Sequence, residues 1–208
     1  AHPSVIAKLR IGDRIAESKS GSVGGGAPTG VAAAEDAVYV ALSHKDSLLK
    51  ISADGARVLA EAALSPFLGE QFEDAEHRPL RGVMPSGVAV YGDRVYVAES
   101  GINAVAVLDR AKMRVVEHIP VGWNPAAVAV DESGNNLFVV NAKGKGAGPN
   151  GGSAHDPQAP TYIGSLELGS LSVIPVGNLN SPDELTGQVV ALNTANVPHR
   201  MKLPELKY

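Results

Sequence analysis

A Gly- and Lys-rich stretch, NAKGKGAGPNGG at Asn141–Gly152, has residue types that could surround a phosphate with backbone amides. It contains no G-x-x-x-x-G-K-[ST] pattern, and no helix signal follows that would offer an anion-binding N-terminus. The stretch therefore predicts a surface crossing rather than a nucleotide-binding loop. If it has a function, it docks a neighbouring domain or lines a ligand site, with Lys143 and Lys145 meeting an acidic group.

Six residues in and near this loop are the candidates for such a contact: Lys143, Lys145, Asn150, His155, Asp156 and Trp123. His155 is followed directly by Asp156, which makes it the His best placed for a functional contact. Trp123 stands between two repeats, where it could pack as a wedge or line the axial face.

Metal-binding and catalytic motifs are sparse. EDAEH, at Glu73–His77, offers carboxylates and an imidazole to a divalent cation, but it lacks the D-x-D-x-D-G arrangement of a calcium loop. We interpret Glu73–His77 as a solvated loop. The metal ligands of this chain, if it has any, are therefore not assigned. His118 lies in a predicted outer strand and is expected to pack there. Neither H-E-x-x-H nor G-x-S-x-G occurs, so no catalytic residue is assigned.

The chain has 208 residues, a net charge of −4 and no Cys. This charge gives no electrostatic footprint for nucleic acid or an anionic membrane, and no apolar run is long enough to span a bilayer. Without Cys, disulfides and thiolate metal sites are excluded. The start AHPS, without an initiator Met, leads us to expect a processed chain or a piece of a longer one.

Three segments repeat one pattern of Pro, small residue, strand, polar turn and second strand. They are PTGVAAAEDAVYVALSHKDSLLKIS from Pro28, PSGVAVYGDRVYVAESGINAVAVLD from Pro85 and PAAVAVDESGNNLFVVNAKGKG from Pro125. The second segment ends on a third strand, Ala104–Asp109, and a fourth follows at Arg114–Val121. Four short antiparallel strands about every 40 residues are typical of a β-propeller, in which each blade covers a face of the next. A β-sandwich with similar hairpins is the alternative.

The predicted fold is all-β: a partial β-propeller of about three to four four-stranded blades with a short C-terminal helix and linker. We assign the blades to residues 1–176, with insertions at 65–84 and 143–169, and the helix and linker to residues 177–208. The opening Val5–Gly12 resembles the fourth strand of the second repeat, which suggests the outer strand of a preceding blade.

The helix prediction rests on its first turn. Ser181 at the N-cap, Pro182 at the first helical position and Glu184 three residues after the cap form a capping box. Leu185, Val189 and Leu192 then recur at helical spacing. The prolines that follow predict an extended linker towards another domain or partner.

The second strands of the repeats resemble a known family. Val38–Ala41 and Val95–Ala98 read V-Y-V-A, and Phe138–Asn141 reads F-V-V-N. These segments are similar to the YVTN β-propeller repeat of exported bacterial and archaeal proteins. The resemblance implies a propeller and an exported location, periplasmic or extracellular in a bacterium.

The third repeat resembles a narrower group, on Gly122–Asn124, Asn141–Gly152 and Tyr162–Val176. It is similar to the propeller of bacterial proteins in which YVTN repeats precede a phosphoesterase domain of the alkaline-phosphatase-like superfamily. The metal-binding carboxylates and the nucleophile of that domain have no counterparts here, and three repeats with part of a fourth cannot close a ring of 4–8 blades.

The resemblance therefore implies a non-catalytic scaffold or interaction segment of an exported phosphoesterase-like hydrolase. It would pack on or position a catalytic domain that these residues do not contain. The implied partners are the remaining blades and that domain, on the same parent protein or on a second chain. No cofactor is expected in this chain, whereas a divalent metal is possible in the parent protein.

Two other functions remain open. The chain could be part of a propeller hydrolase, such as a lactonase, with an axial metal site. That function favours acidic residues and Asn at the starts of the inner strands, where this sequence has mostly Gly, Ala and Val. The chain could instead be a purely structural cell-surface repeat protein, which would need neither a docking surface nor a helix and linker after Val176.

Overall fold

The structure is a computed structural model. It describes residues 5, 8–11, 25–69, 72, 82–144, 168–178 and 181–194. Among the predicted site residues, Lys145, Asn150, His155 and Asp156 lie outside this part of the chain, as does Glu73–His77.

The strands form three antiparallel sheets, each built from strands that follow one another in the sequence. Blade 1 contains β1 (Pro28–Ala33), β2 (Ala37–Leu42), β3 (Ser47–Ser52) and β4 (Val58–Ala63). Blade 2 contains β5 (Pro85–Tyr91), β6 (Arg94–Glu99), β7 (Ala104–Asp109) and β8 (Arg114–Pro120). Blade 3 contains β9 (Trp123–Val130), β10 (Asn136–Gly144) and β11 (Ser170–Pro175). The predicted all-β, partial β-propeller fold is confirmed.

The blades stack through their inner strands, β1 against β5 and β5 against β9. Glycine allows this approach. A Cβ on Gly30 would lie closer than 3.0 Å to the carbonyl oxygen of Ser86, and a Cβ on Gly87 would lie 2.8 Å from the Cα of Ala127. Gly30 and Gly87, two residues after Pro28 and Pro85, are therefore required by the close contact between neighbouring blades.

Each of the first two blades donates a side-chain hydrogen bond to the inner strand of the next. Thr29 Oγ1 donates to the carbonyl oxygen of Pro85 at 2.7 Å, and Ser86 Oγ donates to that of Pro125 at 2.8 Å. Ser100 Oγ, after β6, donates to the same Pro125 oxygen at 2.7 Å. These bonds fix the height of one blade relative to the next.

A second link repeats at the turn between the second and third strands. Asp46 Oδ1 accepts the backbone N–H of Met84 at 2.9 Å, and Asn103 Oδ1 accepts that of Asn124 at 2.9 Å. All four residues have positive φ, between 48° and 57°. Because the two donating N–H groups belong to the residues just before Pro85 and Pro125, this turn positions the start of the next blade.

Two apolar layers fill the spaces between the blades. The layer between blades 1 and 2 includes Tyr39, Leu48, Val97 and Leu108, and the layer between blades 2 and 3 includes Tyr96, Val105, Leu137 and Val139. Both faces of blade 2 are therefore buried, as expected for an internal blade of a propeller.

A third apolar layer covers the face of blade 1 that points away from blade 2. Leu42 and Leu49 are buried there, and Leu9 and Ile11 pack against them. The N-terminal residues thus cover this face of blade 1. Residues 8–11 do not adopt regular strand geometry there, so the outer strand of a preceding blade stays a prediction.

A helix follows blade 3 after a single 3-10 turn at Val176–Asn178. This helix, α1, spans Pro182–Thr194. Ser181 Oγ accepts the backbone N–H of Glu184 at 3.3 Å, which confirms the predicted N-cap. The helix packs on β8 of blade 2, and Leu185 and Val189 are buried in the two apolar layers.

Candidate functional site

The long connections between the described strands lie at one end of the blade stack. Residues 64–84 join β4 to β5, and residues 145–169 join β10 to β11. The opposite end carries short turns, of which residues 53–57 and 131–135 are the longest. We call the end with the long connections the long-loop end. It contains the starts of β1, β5 and β9 and the ends of β2, β6 and β10. Long loops on a rigid scaffold are where binding residues concentrate.

Helix α1 returns the chain to this same end. Asn193, in its last turn, donates from Nδ2 to the carbonyl oxygen of Ile102 at 2.9 Å. Ile102 belongs to the turn between β6 and β7, which is at the long-loop end. The chain beyond Thr194 therefore leaves from the end that carries both insertions.

Two of the six predicted contact residues lie in strands at the long-loop end. Trp123 is paired with Gly144 across β9 and β10. Lys143 precedes Gly144, and because successive strand residues point to opposite faces of a sheet, the two side chains do not share a face. Trp123 has 51% of its surface exposed, and Lys143 is half-buried. An exposed indole agrees better with a contact surface than with a packing wedge. The other four residues are outside the described part of the chain.

One repeat position in the second strand is buried in every blade but differs in chemistry. It holds Leu42 in blade 1, Glu99 in blade 2 and Asn141 in blade 3. Asn141 lies in β10, where Nδ2 donates to Ser170 Oγ at 3.2 Å and to Ser172 Oγ at 2.9 Å. Because Leu42 fills this position with apolar contacts alone, the blade architecture does not require a polar group there.

Glu99 forms a buried acid–base pair with His118. Glu99 Oε1 lies 3.5 Å from His118 Nε2, and both side chains are almost completely buried. The same Nε2 lies 2.9 Å from the carbonyl oxygen of Leu64, at the end of blade 1. The strand between the two residues carries Ala104 opposite Glu99 and Ala106 opposite His118. These small side chains leave room for the pair to meet across β7.

Burial and mutual charge shift the protonation of the pair. Burial raises the pKa of Glu99, and the close approach and charge of His118 offset this only in part. Burial alone would lower the pKa of His118, but the close approach and charge of Glu99, with the Leu64 carbonyl, outweigh it and raise that pKa. The folded protein therefore holds the proton of this pair more tightly than separate side chains in water would.

A groove of about 580 Å³ runs beside the pair, between α1, β8 and the segment after β4. Its lining includes Ser65, Glu117, His118, Thr186 and Gly187. The backbone N–H of His118 donates to Thr186 Oγ1 at 3.0 Å, so the helix is bonded to the same residue that forms the acid–base pair. Sequence analysis missed this site, because His118 was assigned only a packing role in an outer strand.

Across the described residues, no three His, Asp or Glu side chains come close enough to hold an ion. In the same part of the chain, no helix has the length and apolar character needed to cross a bilayer.

The face of blade 3 that points away from blade 2 is apolar and exposed. It carries Ala127, Ala129, Phe138, Val140, Leu171 and Val173, which the strand register places on one side of the sheet. Val140, Leu171 and Val173 are 49%, 58% and 53% exposed. We call this surface the outward face. The corresponding faces of blades 1 and 2 are covered by the next blade.

The outward face also lacks the hydroxyl groups that link the other blades. Ala126 occupies the position of Thr29 and Ser86 in the repeat, and Ala142 occupies the position of Ser100. Neither alanine can donate the hydrogen bond that its counterparts make. Contact at this face must therefore depend more on apolar packing than the two contacts inside the chain.

Comparisons with known proteins support the fold and go no further. No family model and no curated protein sequence matches the chain. A solved structure of hydrazine synthase from Kuenenia stuttgartiensis is similar, with 17% identity and a TM-score of 0.50, over 73% of this chain and 33% of that one. A streptogramin B lyase structure matches with 12% identity and a TM-score of 0.38, over 76% of this chain and 43% of that one. Virginiamycin B lyase from Staphylococcus aureus matches with 13% identity and a TM-score of 0.37, over 57% and 39%. The chain thus spans less than half of each of these three proteins.

Proposed function

We propose that this chain is a non-catalytic β-propeller scaffold segment of an exported, phosphoesterase-like protein, in which it packs on or positions a catalytic domain. The observation that carries this proposal is the outward face of blade 3. Its apolar side chains are exposed at a position where the preceding blades are buried against a neighbour.

The energetic argument is that a blade has two apolar faces and needs a neighbour on each. Covering a large aliphatic side chain contributes roughly 1.5–3 kcal/mol, and Val140, Leu171 and Val173 are each only about half covered. A contiguous apolar surface of this kind is typical of a protein interface. We infer that a further blade, on the same parent polypeptide or on a second chain, covers it.

The long-loop end supports a position for the catalytic domain. Both insertions begin and end there, the last turn of α1 reaches it, and the exposed Trp123 lies on it. A domain that follows α1 would start near this surface. Trp is enriched among the residues that contribute strongly to protein interfaces.

The phosphoesterase activity, the divalent metal of the parent protein and the periplasmic or extracellular location rest on the resemblance of the third repeat. In this proposal the metal and the nucleophile belong to the partner domain, and the present residues contribute to its placement. The propeller-hydrolase alternative is less favoured, because Thr29 and Ser86, at the starts of the inner strands, are engaged in hydrogen bonds between blades.

The experiment is to isolate the protein from its source and compare native with denaturing mass spectrometry. We expect this 21.4 kDa chain in a stoichiometric complex, or as part of a larger polypeptide, and we expect that material to hydrolyse a chromogenic phosphate ester. Chelation of divalent metal with EDTA should abolish the hydrolysis. A stable 21.4 kDa monomer, or a homodimer of this chain alone, would contradict the proposal.

A matched pair of variants separates a specific contact from general damage. Val173→Lys places a charge on the outward face, whereas Leu59→Lys places one on the exposed outer strand of blade 1. We expect the first to weaken the complex and the second to leave it intact. Equal effects of the two variants would show that the outward face is not the contact surface.

A further inference from the structure

The contact between blades 1 and 2 contains an ionisable pair at a position where blade 1 has leucine. Glu99 corresponds to Leu42 in the repeat, and both are fully buried. Burying a carboxyl group costs stability unless it is paired and hydrogen-bonded. Because leucine is tolerated at this repeat position, a buried glutamate that lowers the stability of the fold indicates a role other than packing.

The pair is also incompletely satisfied. Within the described part of the chain, neither carboxyl oxygen of Glu99 has a hydrogen-bond partner, and neither does Nδ1 of His118. His118 Nε2 must carry a proton, because it lies 2.9 Å from the Leu64 carbonyl oxygen, which can only accept. Nε2 also lies 3.5 Å from Glu99 Oε1, but this carboxyl oxygen accepts no hydrogen bond from it. An ionised Glu99 beside a neutral His118 would therefore be a buried charge with little compensation.

We propose that Glu99 and His118 form a proton-binding site in the contact between blades 1 and 2, and that release of its proton loosens this contact and the docking of helix α1. The site connects three elements. Nε2 of His118 bonds to Leu64 of blade 1, its ring lies beside Glu99 of blade 2, and its backbone N–H donates to Thr186 of α1.

The charged groups around the pair favour the protonated form. Asp46, in the turn between β2 and β3, raises the pKa of Glu99, and Glu117, next to His118 on β8, raises the pKa of His118. Asp183 of α1 lines the groove that His118 also lines. Asp46 and Glu117 are acidic, so they stabilise a proton on the pair and oppose its release.

The sign of the pH effect follows from these shifts. The pKa of His118 is raised from 6.5 and that of Glu99 from 4.5, so the folded state binds protons more tightly than the unfolded chain. A raised pKa gives stability that is present below the unfolded value and is lost as the pH rises through the folded value. Both groups act in the same direction. A rise in pH above 6.5 is therefore expected to weaken the contact.

The test uses Glu99→Leu, which copies the residue that blade 1 carries at this position. We expect NMR titration of the His118 ring to give a pKa above 6.5 in the unmodified protein. In Glu99→Leu, burial acts without the carboxylate, and the value should fall below 6.5, a change of about one pH unit or more. Glu117→Gln, on the same strand, is the control and should change the His118 titration much less.

Two further readouts keep the proposal falsifiable if the titration is weak. The first is the protection of the His118 amide, which donates to Thr186, against hydrogen exchange. After correction for the intrinsic exchange rate, this protection should decrease about tenfold between pH 6 and pH 8.5 in the unmodified protein. In Glu99→Leu the decrease should be absent. Glu99→Gln, which keeps the shape but cannot ionise, should behave like Glu99→Leu. A His118 pKa at or below 6.5 in the unmodified protein would overturn the proposal, and so would a loss of protection in the two Glu99 variants as large as in the unmodified protein.

Discussion

Replacing Gly30 with Ala would push a methyl group into the inner strand of the next blade. The added Cβ would lie closer than 3.0 Å to the carbonyl oxygen of Ser86, whereas ordinary contact is 3.4–4 Å. The obstacle is backbone, which cannot rotate away as the end of a side chain could. We therefore expect β1 and β5 to separate and the protein to lose stability.

The magnitude has two parts. Inserting a methyl group into a well-packed contact costs about 1–3 kcal/mol. Separation of the strands also stretches the bond of 2.7 Å from Thr29 Oγ1 to the Pro85 carbonyl oxygen, which contributes about 1 kcal/mol. The free energy of unfolding should decrease by about 2–4 kcal/mol in total.

Urea denaturation measures this loss, with Gly25→Ala as the matched control. A Cβ on Gly25 would meet nothing within 4 Å, so the control should differ from the unmodified protein by about 0.5 kcal/mol or less. Equal stability of Gly30→Ala and Gly25→Ala would contradict the close contact of the inner strands. It would also contradict the stacking of blades 1 and 2 that depends on this contact.

The remaining predictions concern helix α1 and are checked by urea denaturation together with the helical signal in circular dichroism. Gly187→Ala should stabilise the protein by about 1 kcal/mol, because alanine is the better helix former and its Cβ would meet nothing within 4 Å; a loss of stability would contradict this. Ser181→Ala should destabilise it by about 1 kcal/mol, because the N–H of Glu184 loses its acceptor. An unchanged midpoint for Ser181→Ala would mean that the cap does not hold the helix.

Much of the fold was predictable, because the repeat is visible in the sequence. The strand Ala104–Asp109 is predicted from the repeat pattern and is confirmed with the same bounds. The cap at Ser181 was identified from local residue types alone and is also confirmed. These features depend on neighbours in the sequence, so local patterns are sufficient to predict them.

The Glu99–His118 pair could not be predicted in the same way. The two residues meet because the register sets Ala104 opposite Glu99 and Ala106 opposite His118, and no local pattern reports a register across three strands. One signal was available: comparison of the repeats shows Glu99 at the position of Leu42. An acidic residue at an otherwise apolar repeat position marks a site to inspect.

The outward face shows a different limit. Its strands are apolar on both sides, with Leu137 and Val139 on one and Phe138 and Val140 on the other, and this pattern predicts burial on both. The sequence thus indicates that a neighbour exists but not which element it is. Position in the fold shows that the uncovered side is the one away from blade 2.

The most direct test of the scaffold proposal is the accessibility of the outward face in the native protein. Because the chain has no Cys, Val173→Cys introduces a single thiol on that face, and Leu59→Cys introduces one on the outer strand of blade 1 as a control. Labelling rates with a maleimide, read by peptide mass spectrometry, compare the isolated chain with the native assembly. We predict that the thiol at position 173 reacts fast in the isolated chain and at least about tenfold more slowly in the assembly, while the control reacts fast in both. Equal rates at position 173 in the two samples would contradict the claim that this face is covered by a partner.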